Sequence, residues 1–548
     1  VDDSGEKWNC YHRWTDRASR LLPTPGSTYS FGAPSERPTR AERRQMVWEQ
    51  FEQKEQRRRD HNMGEGRGAS LRNLRLNQEI VDMGDPNLVL AHFRHHFTEF
   101  TVVNSSTALH KVAKLEADTG ISILPASESL LRQLVNQCEQ WCVAPRLCSS
   151  GTGATTIAEI RGPELASMAW SLARLQLRDE ALLPAVLSRS ERQVQDFQPQ
   201  SLSNLVWALA SLLVAHRPAL EAVRVEALVR VRLFDARECV NTLWAYAKLG
   251  SLGHGSDDGF VQALGQRAVS RIQECTAQNL SNLAWAYATT CCACEGDQSL
   301  PTVVLQDCGR RASESGPQHL SNSLWAMGCL ALLDGPVLEA LSAEAVRKVR
   351  EMGPQDLSTP AWACAPLSVC PKGLLPALGG QAVRSVTQFA GQNLGNTAWA
   401  FAKLSADVSS LGCPVLRAMV GEALHRLPEC NGQALANLVW ACATVSHRDT
   451  PLLEAVGLEA LTRLALPQTH ADAINAQHLC NICWSFATLE FLDSLVMDAF
   501  SGYAVDISAD FAAATLAFRP EPMLQGLAER AGALATRFQP LDLMNLVW

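Results

Sequence analysis

Several groups of reactive or ligating side chains lie close together in this sequence, and each falls short of a site. Cys480 and Cys483 form a lone C-x-x-C, but they occupy places that equivalent segments fill with Ser or Ala and with Val, Leu or Ala, so core packing is the expected role. His95 and His96 have Glu99 nearby and no further ligands at metal-site spacing. Gly151, Thr152 and Gly153 make a loop fragment too short to cradle a phosphate, and the sequence holds no G-x-x-x-x-G-K-[ST], H-E-x-x-H or G-x-S-x-G. Enzymatic activity, a bound metal, a cofactor and a small-molecule substrate are therefore not expected. The chemistry that does recur is that of neutral amides, set at fixed distances before a tryptophan.

Seven residues before the tryptophan stands Gln200, Gln278, Gln318, Gln355, Gln392, Gln433 or Gln477. Three before it stands Asn204, Asn241, Asn282, Asn322, Asn396, Asn437, Asn481 or Asn545, replaced by Ser167, Thr359 and Ser508 in three other copies. Four after it come polar residues such as Ser211, Lys248, Thr289, Lys403 and Thr444. On a helix at 100° per residue these slots lie within about 60° of the indole and form one stripe. Asn is a poor residue for a helix interior, so its recurrence needs a cause. One cause is a ladder of Asn side chains bonding backbone groups of the neighbouring copy. The other is hydrogen bonding to a ligand laid along the stripe, and the two are compatible. The Gln, close to the helix start, serves equally well as a cap partner.

The elements that position these residues are internal repeats. Anchor tryptophans stand at Trp170, Trp207, Trp244, Trp285, Trp325, Trp362, Trp399, Trp440, Trp484 and Trp548, mostly 37 to 44 residues apart. The wider last gap accommodates a shortened copy with Phe511 in the tryptophan slot, and TALHKVAKL (107–115) reads as a degenerate capping copy with His110 there. This reuse accounts for a composition in which Trp (14) nearly equals Phe (16) and exceeds Tyr (5). Each unit is long enough for two helices and lacks strand signatures. In the second copy helix A is expected over 200–213 and helix B over 218–232. The predicted fold is all-α: a right-handed α-solenoid of about eleven two-helix repeats, with Ala or Ser beside the tryptophan permitting close helix approach and the indole filling the gap between units.

Charge divides the chain. Residues 1–100 hold 16 Lys/Arg and 15 Asp/Glu, and the remaining 448 hold 32 and 41. Three segments are thus expected: a charged, partly disordered extension (1–100), a degenerate capping repeat with an insertion (101–160), and the repeat array (161–548). The Arg57, Arg58, Arg59 run can touch phosphates, but a solvated helix face is the commoner role of such a run. The chain starts at Val1, so a missing N-terminal piece is expected. The net charge of −8 excludes whole-surface polycation binding, and no apolar run is long enough to span a bilayer. Eighteen cysteines scattered through apolar stretches read as reduced, buried thiols.

With the motif Pro-Gln-x-Leu-Ser/Ala-Asn-x-x-Trp-Ala-x-Ala-Lys-Leu, carried most fully by PQSLSNLVW (199–207), PQHLSNSLW (317–325) and QNLGNTAWAFAKL (392–404), the chain resembles the octotricopeptide repeat family. It is also similar to the heptatricopeptide and FAST-kinase-like leucine-rich repeat proteins, over roughly residues 160–548. The resemblance implies binding of single-stranded RNA in a mitochondrion or chloroplast, alongside other proteins of a ribonucleoprotein complex, with effects on transcript stability, RNA or rRNA processing, or translation. Many members end in a RAP domain, which is not seen here. A base-reading code needs a slot that varies, and the residue six before the tryptophan does: Ser201, Glu238, Asn279, His319, Asp356, Asn393, His478. The alternative for that slot is a first-turn residue free to drift or to cap. A second column, near the end of helix B, is basic: Arg230, Arg271, Arg311, Lys348 and Arg426, with Arg192 and Arg384 one place earlier. It reads either as complement to the helix dipole or as a row for phosphates. The rival to RNA binding is a protein-interaction scaffold of armadillo, HEAT or tetratricopeptide character.

Overall fold

The computed structural model describes residues 71–143, 160–251, 259–290, 299–367, 369–404, 412–464, 466 and 472–491. The arginine run at 57–59, the fragment 151–153 and the copies around Phe511 and Trp548 lie outside the described residues. Within them are twenty-one α-helices and no strand, and none of the helices is long and apolar enough to cross a membrane. The helices fall into two compact bodies, divided between Val229 and Arg230.

The first body holds α1 (Leu71–Asp82), α2 (Pro86–His95), α3 (Val102–Thr119), α4 (Pro125–Val143), α5 (Gly162–Arg174), α6 (Leu182–Gln193), α7 (Pro199–Ser211) and α8 (Arg217–Val229). The second holds α9 (Ala236–Lys248), α10 (Phe260–Ser270), α11 (Ala277–Thr289), α12 (Ser299–Arg310), α13 (Pro317–Leu330), α14 (Gly335–Arg347), α15 (Pro354–Leu367), α16 (Leu374–Arg384), α17 (Gly391–Leu404), α18 (Gly412–His425), α19 (Gly432–Thr444), α20 (Thr450–Leu464) and α21 (Ala476–Thr488). Within each body successive helices pair as hairpins. Odd-numbered helices pack side by side in one layer and even-numbered helices in the other. This is an all-α helical-repeat solenoid, with the tryptophans on the odd layer.

The repeat motif explains the packing. Five residues before the tryptophan, Leu202, Leu280, Leu320, Leu357, Leu394 and Leu435 are buried, and so are the alanines one and three after it. These small residues let neighbouring odd helices approach closely. At Gly395 a Cβ would stand 2.7 Å from Cα of Ala434 on the next odd helix, so only hydrogen fits there. Helices α7 and α13 start with proline at their first turn, where the missing N–H costs nothing.

Before each odd helix runs a recurrent element that sequence reading does not anticipate. From α6 to α18, each even helix is succeeded by a single 3₁₀ turn. An extended residue then closes it, ten before the tryptophan: Phe197, Phe234, Cys275, Ser315, Met352, Phe389 or Cys430, all buried. In the second copy, helix B accordingly ends at Val229, and the turn Val231–Leu233 takes over where a continuous helix to 232 is expected.

The stack also begins earlier than the change in charge density implies. Helices α1 and α2 pack on α3, and Asn104 Nδ2 donates to the Asn73 carbonyl at 3.0 Å. Leu76, Ile80, Val89, Leu90 and Phe93 are buried at helical spacing, while Arg72, Arg75 and Arg94 lie on exposed faces. The charges thus decorate two helices, over 71–95, packed on α3. Residues 125–143, assigned to an insertion by sequence, are α4, the second helix of the hairpin built on His110.

Candidate functional site: an indole ridge with amides along it

In the second body, seven indoles from Trp244 to Trp484 stand in a continuous column. Ring centroids are separated by 6.4 Å (Trp244 to Trp285), 6.2 Å (to Trp325), 6.4 Å (to Trp362), 6.4 Å (to Trp399), 5.9 Å (to Trp440) and 6.2 Å (to Trp484). In the first body Trp170 and Trp207 lie 6.3 Å apart, and His110 extends the column at 4.4 Å from Trp170, occupying the slot its sequence motif assigns it. The rings do lie unit upon unit, but they do not fill a buried gap. All except Trp399 (8% exposed) are partly open to solvent. The alanines hold neighbouring odd helices too close for an indole between them, so the rings move to the rim and stack on one another.

The amides border this ridge. Gln200, Gln278, Gln318, Gln355 and Gln392 are exposed, with Gln433 partly so. Asn204, Asn241, Asn282, Asn322, Asn396, Asn437 and Asn481 are partly exposed. One rung of a ladder is present: Asn437 Nδ2 donates to Asn396 Oδ1 at 3.2 Å. It joins side chain to side chain rather than side chain to backbone. Among the described residues no other asparagine of the slot makes a side-chain hydrogen bond, and each is partly exposed. Beside the rings, Lys248 Nζ lies 4.8 Å from the Trp244 ring, Lys403 Nζ 5.3 Å from Trp399, and the Arg174 guanidinium 5.6 Å from Trp170. Burial against the indole lowers the pKa of both lysines from the ordinary value.

The slot six before the tryptophan, expected to discriminate bases, does other work. It is the third position of the odd helices, and at Glu238, Asn279, His319, Asp356 and His478 its side chain turns back to cap the helix start. Glu238 Oε2 accepts from the Asp235 N–H at 2.8 Å, Asn279 Oδ1 from Thr276 at 3.0 Å, and His319 Nδ1 from Gly316 at 3.2 Å. His478 Nδ1 accepts from Asn475 at 3.4 Å. Ser201 is buried, and Asn393 Nδ2 reaches Ser358 Oγ at 3.4 Å in the preceding repeat. At Asp356, burial raises the carboxyl pKa while the Gly353 N–H bonds it. Among the five capping copies the variation tolerated is that of a capping box, which needs only an acceptor. Burial drives His478 down to about 4.

The basic column is likewise corrected. Arg311 Nη1 donates to the Cys275 carbonyl at 2.6 Å, Arg271 Nη1 to Phe234 at 3.3 Å, Lys348 Nζ to Ser315 at 2.6 Å and Arg426 Nη1 to Phe389 at 2.7 Å. Each acceptor is the buried extended residue of the preceding repeat. The same heads are ion-paired to Glu274, Glu314, Glu344 and Glu429. These are brackets between consecutive repeats, with their charge already met, and not an open row for phosphates. Arg230 also has a partner, and Arg192 and Arg384 bond Ser188 Oγ and Gln381 Oε1 on their own helices.

The lone C-x-x-C is core: Cys483 is buried, and burial raises both thiol pKa values, that of Cys480 to about 12. His96 Nδ1 meets only Glu99, at 3.4 Å, and among the described residues no group of three potential ligands is placed to hold a metal.

No protein-family profile matches the chain, and no curated protein matches it. Among structures, one titled "Homology model of the full-length AP-3 complex in an intermediate open conformation" is similar at 10% identity and a TM-score of 0.27, covering 86% of this chain and 88% of that one. A likeness of that size supports nothing further about this chain.

Proposed function

We propose that the indole-and-amide stripe binds single-stranded RNA, and that the protein acts in the RNA metabolism of a mitochondrion or chloroplast, on transcript stability, processing or translation. Its partners would be an organellar transcript or rRNA and other proteins of the same ribonucleoprotein complex. The resemblance of the repeat motif supports this reading. The observation that carries it is the combination, at steps of about 6 Å and at every ring but the buried Trp399, of one partly exposed aromatic ring with partly or fully exposed amides. Unpaired bases offer a π-face and hydrogen-bonding edges together, and helical-repeat readers take about one base per unit. A base sandwiched between two rings needs about 6.8 Å, twice the ~3.4 Å stacking rise. The bases therefore lie against the exposed ring edges, with Asn and Gln on their polar edges.

A protein ligand is the second reading. Two residues of extended peptide span about 6.6–7.2 Å, near the ring spacing, and the bracketed arginines leave the surface without a polycationic row. Crosslinking in cells followed by sequencing of bound RNA separates the two. RNA recovered with the wild-type chain should fall when Asn282, Asn322, Asn396 and Asn437 all become Ala in a variant whose circular dichroism melt is retained. Undiminished recovery from that folded variant sinks the stripe as the RNA site.

A further inference from the structure

Four slots on the odd helices face the open side of the ridge, and three of them barely change. The tryptophan itself, the Asn three before it and the Gln seven before it recur nearly throughout, so they cannot tell one repeat from the next. The fourth slot, four residues after the tryptophan, is partly or fully exposed in every described copy and changes chemical type along the column. It holds a cation in Arg174, Lys248 and Lys403, and a hydroxyl in Ser211, Thr289, Thr444 and Thr488. At the centre of the second body stand Cys329 and Pro366, of which the proline has no side-chain donor and the thiol a weak one.

We infer that this slot, and not the capped one six before the tryptophan, sets which base each repeat prefers. The inference rests on the RNA reading above. Its basis is position: Lys248 Nζ lies 4.8 Å from the partly exposed Trp244 ring, so a base lying on that ring meets the ammonium group at once, and the exposed Lys403, 5.3 Å from the buried Trp399 ring, presents its ammonium where the other repeats present the indole. An ammonium donates three hydrogen bonds and accepts none, which favours guanine, with its adjacent O6 and N7 acceptors. A hydroxyl donates and accepts, and discriminates little. Pro366 and Cys329 leave two neighbouring repeats nearly indifferent.

The column fixes the register. Trp244 and Trp399 are four steps apart, through Trp285, Trp325 and Trp362. Two guanine preferences four nucleotides apart are therefore expected in the selected motif.

The test is selection of bound sequences from a random RNA library by the full chain, comparing wild type with Lys248→Thr, Lys403→Thr and the reciprocal Thr289→Lys. Thr already occupies the slot in Thr289 and Thr444, so the lysine variants keep a residue that α11 and α19 accommodate. Each lysine variant should lose about 5–150-fold preference at one position, corresponding to 1–3 kcal/mol per specific base contact, at sites four nucleotides apart. Thr289→Lys should create a new guanine preference one nucleotide from that of Lys248. Motifs unchanged in all three variants, or a uniform loss of affinity with no positional change, overturn the inference and leave the RNA reading standing. A wild-type chain that enriches no RNA, or that enriches extended peptides from a parallel display library instead, overturns both.

Discussion

Arg311 shows how one residue separates a bracket from a ligand contact. Its guanidinium spans the Cys275 carbonyl of one repeat and Glu314 of its own, each at 2.6 Å. Replacement by Met keeps the stem and strands a carbonyl in a buried place, which costs about 1–3 kcal/mol. Arg311→Met should therefore lower the denaturant midpoint while leaving RNA affinity at stabilities above the transition unchanged; a lowered affinity in the folded state would put this arginine back on the phosphate path. The periodic placement of these cations was legible in the sequence, but their partner was not. A backbone carbonyl leaves no residue-type signal, and the buried residue that owns it is Phe, Cys, Ser or Met by turns. The capping slot misleads for the converse reason. Its variety looks like a code, yet Glu238, Asn279 and His319 share the one property a cap requires.

At the scale of the helix, the odd elements end as regularly as they begin. Six residues after the tryptophan, in the copies where that position is described, the chain turns left-handed, at Gln176, Leu213, Ala331, Ser446 and Glu490 and at the glycine Gly250. Leu213, with φ 54° and 60% exposed, carries a Cβ where that conformation disfavours one. Leu213→Gly should raise stability by about 0.5–1 kcal/mol in urea unfolding, and a loss of stability would show that the leucine side chain packs more than its exposure indicates. His478 makes the start of α21 acid-sensitive. Its pKa is about 4 in the fold against 6.5 ordinarily, so the folded state favours the neutral ring that accepts from Asn475. That contribution is complete above pH 6.5 and is lost as pH falls towards 4. His478→Asn, the residue found at Asn279, should remove this part of the pH dependence, visible as a flatter profile of melting temperature between pH 7 and 4. The helices and their apolar faces followed from the tryptophan spacing. The partial exposure of the indoles did not, because a tryptophan at a helical repeat is most often core, and only the close approach of alanine-lined helices displaces it.

At the scale of the whole molecule, the net charge of −8 and the bracketed arginines leave, among the described residues, few cations beside the ridge: Arg174, Lys248 and Lys403. With about three phosphates neutralised, log affinity against log salt should have a slope near −2 for a single strand, far shallower than for a polycationic binder. A slope beyond about −5 would mean that phosphates are met elsewhere. The repeat array and its tryptophan column over the described residues were readable from sequence, whereas the division at Val229 and Arg230 and the packed helices at 71–95 were masked by a change in charge density that marks surface decoration and not fold. The central claim is that ligand lies along the indole-and-amide stripe of the odd helices. It is tested most directly by ultraviolet crosslinking of the full chain to bound RNA and mass-spectrometric identification of the crosslinked residues. Crosslinks are expected at the exposed tryptophans from Trp244 to Trp484 and at Lys248; crosslinks confined to the even-helix ends around Arg271, Arg311, Lys348 and Arg426 would contradict it.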